Sequence, residues 1–254
     1  MTTKMLSAAA LCAVLAACST GGGDGGSDGT DTPPIQGASP EGVYFGPVTG
    51  GDATSADLFV LEDGTFYAVA FDADDYVVGF EQGSGTASSN HYQSSNAKEF
   101  LADPPVAGSL SASFVAKTSF HGTITGNGAT LTLDAQAVPA TVFDYDKPAL
   151  LADVTGNWRL VLSDGETADV TLSTTGTLAG VSSGGCQFTG TVKPRASGKN
   201  IFDVTTQSGP APCAHPGQKA AGIAMSSVDD GSRSLAVMQV AEDRSAGLVS
   251  VGWR

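Results

Sequence analysis

From residue 41 onward short apolar segments recur between turn residues, and one of them, 130–133, alternates apolar and polar at the period of a strand with one buried face. Residues 57–61 (DLFVL) and 65–71 (TFYAVAF) flank Glu62-Asp63-Gly64. An Asp-Gly pair between two such runs predicts a tight hairpin, because glycine takes the positive φ that the turn demands. Further strands are expected over 76–80, 82–87, 110–115, 120–125 and 130–133. In 130–133, Leu131 and Leu133 should face a core while Thr130 and Thr132 face water. One short helix is expected over 148–153, with Asp146 as its cap and Pro148 in its first turn. The last runs, 234–240 and 246–253, end the chain inside a strand, so the final strand should close a sheet or barrel against an earlier edge.

The second half echoes the first. Gly42-Val43-Tyr44 compares with Gly156-Asn157-Trp158, Ala56-Asp57-Leu58 with Ala168-Asp169-Val170, and Gly64-Thr65-Phe66 with Gly176-Thr177-Leu178, at an offset near 112 residues. A fourth match, Gly85-Thr86 with Gly190-Thr191, needs a shorter offset. Either the halves are a duplication or two Gly/Thr-rich β stretches align by composition. The fold expected is all-β: antiparallel sheets forming one or two small barrel or sandwich lobes, with one short connecting helix. The lobes should cover 41–140 and 141–254.

The first 40 residues follow other rules. Lys4 precedes a run of thirteen residues, 5–17, that is apolar apart from Ser7. A spanning helix needs about 20 apolar residues, so this run is too short to be a stable anchor. A basic start, a short apolar centre and small residues at the end mark a secretory signal over 1–17. Leu15-Ala16-Ala17-Cys18 resembles the lipobox of bacterial lipoproteins, which implies that Cys18 is acylated and becomes the first residue after cleavage. Three acyl chains would follow, and at about 0.8 kcal/mol per buried CH₂ two or more suffice for stable anchoring. Ser19 in place of Asp favours the outer membrane under the enterobacterial sorting rule. Residues 18–40, rich in Gly, Asp, Ser and Pro, read as a flexible tether.

Charge narrows the partners. The chain carries −14, and cleavage with loss of Lys4 takes it to −15. Such a surface repels phosphate backbones and anionic headgroups, so no nucleic-acid partner is expected and membrane contact should come from the lipid alone. Only 15% of residues are charged, too few for amphipathic helices of the usual kind. With Cys12 in the signal and Cys18 acylated, Cys186 and Cys213 remain as a pair in an oxidising compartment. A disulfide is expected. The alternative, a two-thiol metal site with His215, fits less well because zinc ligands come in closely spaced pairs and Cys186 stands alone.

Catalytic signals are thin. Gly180-Val181-Ser182-Ser183-Gly184 matches the G-x-S-x-G pattern, but that pattern means a nucleophile only between a strand and a helix, and here it lies between strands. His91, His121 and His215 lack the spacing of metal ligands. Asp72, Asp74 and Asp75 cluster and are weak calcium candidates, without the EF-hand pattern. A glycosidase needs two carboxylates across a cleft, which sequence cannot place. The expectation is no catalytic residue, no metal and no cofactor. For recognition the candidates are Tyr44, Phe45, Tyr67, Tyr76, Tyr92 and Tyr145, set against the alternative that most are core or barrel-rim residues.

Lipobox, Gly-rich tether and Gly-Thr strands such as Asp63-Gly64-Thr65-Phe66-Tyr67 and Phe188-Thr189-Gly190-Thr191-Val192 together resemble proteobacterial surface lipoproteins. The body is more distantly similar to the β-barrel lobes of the transferrin-binding-protein-B and factor-H-binding families. That resemblance implies a non-enzymatic binding or envelope module at the outer membrane with a protein ligand, facing the cell surface or the periplasm. The alternatives are a periplasm-facing inhibitor or chaperone and a hydrolase whose site only the fold assembles.

Overall fold

The computed structural model describes residues 38–126, 128–229 and 231–254. The signal segment, Cys18 and the tether as far as residue 37 lie outside the described residues. The body is all-β, two closed eight-stranded antiparallel barrels joined by a connector with one short helix.

The first barrel is a meander of β1 (Gly42–Thr49), β2 (Ser55–Val60), β3 (Thr65–Phe71), β4 (Val77–Ser84), β5 (Thr86–Ser88), β6 (His91–Glu99), β7 (Val106–Val115), β8 (Ser119–Gly126) and β9 (Ala129–Ala137). Strand β5 continues β4 past Gly85, and both pair with β6, through Thr86↔Gln93 and Gln82↔Lys98. β1 pairs with β9, so the ring has no free edge. The second barrel runs β10 (Gly156–Leu162), β11 (Thr167–Leu172), β12 (Thr177–Ser182), β13 (Gln187–Pro194), β14 (Phe202–Ser208), β15 (Lys219–Asp229), β16 (Ser232–Ala241) and β17 (Gly247–Trp253). Its last strand closes on its first through Val161↔Val251, as the strand-like chain end predicts.

Inward side chains fill each barrel: Tyr44, Leu58, Phe66, Tyr92, Phe120 and Leu133 in the first, Trp158, Leu160, Val170, Leu172, Val204 and Leu235 in the second. The echo between the halves is matched in the geometry. Gly64 and Gly176 both sit at φ +80°, and a Cβ on either would strike a backbone carbonyl, that of Gly85 or of Val192. The structural counterpart of Gly85 is therefore Val192, two residues beyond the expected Gly190.

A third apolar cluster lies between the barrels. Val43, Phe59, Val69 and Phe80 on the outside of the first meet Ile223, Met225, Met238 and Val249 on the outside of the second, sealed by Phe143 and Tyr145 of the connector. This accounts for the unbroken apolar run of β3, from Phe66 to Phe71, which is buried on both faces. Polar clamps border the cluster. Arg195 of the second barrel reaches Glu62 at 2.8 Å and Asp63 at 2.6 Å in the first, and Asp203 at 2.6 Å in its own. Arg244, in the β16–β17 turn, donates to the carbonyls of Asn96 (2.9 Å) and Gln82 (2.7 Å).

The helix differs from expectation. It spans Leu151–Val154, and its N-cap is Leu150 with no side-chain cap. Asp146 instead binds Lys117 and, at 2.8 Å, Lys199. Its carboxylate serves two cations from opposite barrels, which stabilises it more than a solvated cap would. Cys186 and Cys213 form a disulfide that joins the start of β13 to the loop after β14.

Candidate functional site

The outer faces that touch at the third cluster diverge toward one side and leave a cleft of about 750 Å³. Strand alternation decides what lines it. Among the residues of β1, β2 and β3 that do not enter the barrel, Phe45, Asp57, Phe59, Val69 and Phe71 face the cleft. On the far wall stand Met225, Ser227, Ser234, Met238, Val249 and Trp253. The surface is mostly apolar and aromatic; its polar groups are the paired hydroxyls of Ser227 and Ser234, 2.7 Å apart, with Thr118, Gln136 and Ser232, and three charged groups, Asp57, Lys117 and Asp134.

Two of the three charges have partners. Lys117 binds Asp146, and Asp134 lies 2.7 Å from His121 Nδ1. Asp57 has none: among the described residues no hydrogen bond or ion pair reaches its carboxylate. Its side chain is half-buried in the cleft wall among apolar neighbours, and that burial pushes its pKa up to about 7. The second barrel shows what is missing. There Asp169 stands opposite Arg159 and pairs with it at 3.2 Å. In the first barrel the residue opposite Asp57 is Phe45.

A second unpaired acid lies inside the first barrel. Glu81 is buried, its Oε2 has no partner, and it faces Glu99 across the β4–β6 seam. Burial first, and the Glu99 charge second, push its pKa up to about 8. Glu99 is held by the amides of Phe80 and Leu101, at 3.2 and 2.8 Å. With no route from the cleft to Glu81 on the lining, this pair is part of the barrel core.

The residues singled out from sequence are scattered. Ser182 ends β12 in a hairpin, with its amide bonded to the Cys186 carbonyl and no helix after it. His91 and His215 are exposed on the surface. His121 has its carboxylate neighbour Asp134, and Ser113 follows on the adjoining strand. The Ser113 hydroxyl, however, is directed at the His121 carbonyl at 3.5 Å, and the row lies on an open barrel wall. Asp72 Oδ1 accepts the amides of Asp74 and Tyr76 at 2.9 Å each, so it braces its own turn. Among the described residues no group of three or more His, Cys, Asp or Glu is placed to hold a metal ion. Of the aromatic candidates, Tyr44, Tyr67, Tyr92 and Tyr145 are buried, Tyr76 is 68% exposed away from the cleft, and Phe45 alone faces it. Asp57 was missed as a site residue, although its match to Asp169 is visible in the sequence. The signal was the missing arginine opposite it, which only strand register reveals.

No family model matches the chain, and no curated protein matches it. Among solved structures the chain is similar to a protein described as an outer membrane protein from Bacteroides fragilis, at 13% identity and a TM-score of 0.26, over 84% of this chain and 96% of that one. It is similar to a protein of unknown function of the DUF3598 family from Nostoc punctiforme, at 12% identity and a TM-score of 0.24, over 84% and 94%. It is also similar to transferrin binding protein B from Haemophilus parasuis, at 8% identity and a TM-score of 0.24, over 80% of this chain and 65% of that one. At TM-scores of 0.24 to 0.26 these likenesses assign neither function nor partner.

Proposed function

We propose that this chain is a bacterial envelope lipoprotein, anchored at the outer membrane through Cys18, whose two-barrel body works by binding and not by catalysis. The observation that carries the reading is the cleft between the barrels. At about 750 Å³ it is in the size range of small-ligand sites, and it combines an apolar lining with a few convergent polar groups. Barrel closure leaves no strand edge to recruit a partner by pairing, so recognition falls to the cleft and the outer faces. The anchor rests on the run ending Leu15-Ala16-Ala17-Cys18 and on the tether that follows it.

Two experiments test the reading. Fractionation of cells carrying the full chain should find it in the membrane, and Cys18→Ser should release it to the soluble envelope fraction. Protease shaving of intact cells then tells which way the body faces. For the cleft, a neutral apolar fluorophore such as N-phenyl-1-naphthylamine should brighten on adding the body. Ala236→Trp, which fills the cleft, should abolish that signal without unfolding the protein. Equal signals from both proteins would remove the cleft as the binding site.

A further inference from the structure

We propose that the cleft selects an organic cation, an apolar body bearing a protonated amine or guanidinium, whose charge docks against the Asp57 carboxylate. This rests on the reading of the cleft as a binding site and adds the class of ligand.

The argument starts from the comparison of the two barrels. Asp57 and Asp169 occupy matching positions on β2 and β11, each facing outward and each opposite a residue of the barrel's first strand. Asp169 is exposed and has Arg159 opposite. Asp57 stands where water is scarce and a counter-charge is most needed, yet the residue opposite is Phe45. A carboxylate set among apolar groups loses hydration that only a cation or hydrogen-bond donor restores. Nothing resident supplies one. Lys117, the only cationic side chain on the lining among the described residues, is engaged by Asp146. Among the described residues, the far wall, formed by β15, β16 and β17, contributes no titratable side chain to the cleft.

The surroundings suit the same ligand. Phe45 and Phe59 flank Asp57, and an aromatic face attracts a cation while repelling an anion. The net charge of −14 draws cations toward the body and keeps anions away. The elevated pKa of Asp57 adds a signature. A cation binds the ionised form, so binding drives the Asp57 proton into solvent, and affinity should rise as pH climbs through about 7. The other titratable groups at the cleft are Asp134 with His121, and Lys117 with Asp146; both pairs sit at the rim on the first-barrel side.

The test uses three probes with one apolar body and different heads: 4-phenylbutylamine, 4-phenyl-1-butanol and 4-phenylbutyrate, titrated by calorimetry at pH 8. The amine should bind about tenfold more tightly than the alcohol, the value of one charge-assisted hydrogen bond, and the acid more weakly than both. Asp57→Asn should bring the amine down to the level of the alcohol. Phe45→Arg, which installs the second barrel's arginine, should do the same by pairing with Asp57 internally. The amine's advantage should shrink as the pH is lowered to 6. Equal binding of amine and alcohol to the native body, with the neutral fluorophore still bound, overturns this inference and leaves the cleft reading standing. An amine preference that survives both variants also overturns it. Failure of all three probes and of the fluorophore overturns both.

Discussion

Tyr44 and Trp158 hold the same station in the two barrels and are fixed there by the same bond. Each follows by two residues a glycine with positive φ, Gly42 at 151° and Gly156 at 123°. Each donates its one polar hydrogen to the carbonyl four residues upstream, Tyr44 Oη to Pro40 at 2.9 Å and Trp158 Nε1 to Val154 at 2.6 Å. Both rings are buried at the point where the chain enters its barrel, so each barrel begins with an aromatic plug tied to its own lead-in segment.

This relationship predicts unequal costs. Tyr44→Phe keeps the plug and strands a buried carbonyl, which should cost about 1 to 2 kcal/mol. Tyr44→Ala removes the ring as well, for about 3 to 5 kcal/mol. Urea unfolding monitored by circular dichroism would measure both. Equal losses in the two variants would show that the hydrogen bond, not the ring, holds the station.

Loss of the disulfide should weaken the second barrel. The bond closes a loop with a sequence separation of 27, for which loop entropy gives about 3.5 kcal/mol. Cys186→Ala with Cys213→Ala should therefore lower the unfolding midpoint. Reductant should lower the native midpoint to the same level while leaving the double variant unmoved.

Glu81 should make the protein less stable as pH rises. Its pKa is near 8 in the folded barrel against an ordinary value of 4.5. Below about 4.5 both states hold the proton. Between 4.5 and 8 the unfolded chain releases it and the folded one keeps it, so stability falls across that window by a few kcal/mol. Glu81→Gln should flatten the fall in a thermal-unfolding series from pH 5 to 8. A series as steep as the native one would assign the pH dependence elsewhere.

Arg195 should couple the barrels. Its guanidinium is largely buried and forks to Glu62, Asp63 and Asp203. Burial alone would raise the Asp63 pKa, but the Thr65 amide and the Arg195 charge hold it below the ordinary value. Arg195→Ala leaves three carboxylates crowded at one seam, a loss of about 2 kcal/mol after allowance for their partial exposure. A lysine ammonium is a compact point charge that cannot span three carboxylates as the planar guanidinium does, so Arg195→Lys should recover little. Double-mutant cycles with Asp63→Asn would read the coupling across the seam.

The sequence by itself determined the strands, because a period of two is a local property. Alternation assigns Leu131 and Leu133 to one face, Gly64 and Gly176 mark matching turns, and elimination leaves Cys186 and Cys213 as a pair. The strand-like end at 246–253 anticipated closure. Only the tertiary structure decided that the sheets close into two barrels instead of stacking as a sandwich, since both solutions use the same alternation. It also decided what covers each outer face. The run of β3 is apolar on both sides because a second barrel lies against it, and the residue on the neighbouring strand that leaves Asp57 unpaired, Phe45, is set by register. The helix cap failed for the same kind of reason: Asp146 had two lysines within reach that are remote in the chain. Local patterning fixes which side of a strand a residue occupies. The partner it meets there depends on chain segments as distant as Arg195 is from Asp63, brought together only when both barrels have closed and docked.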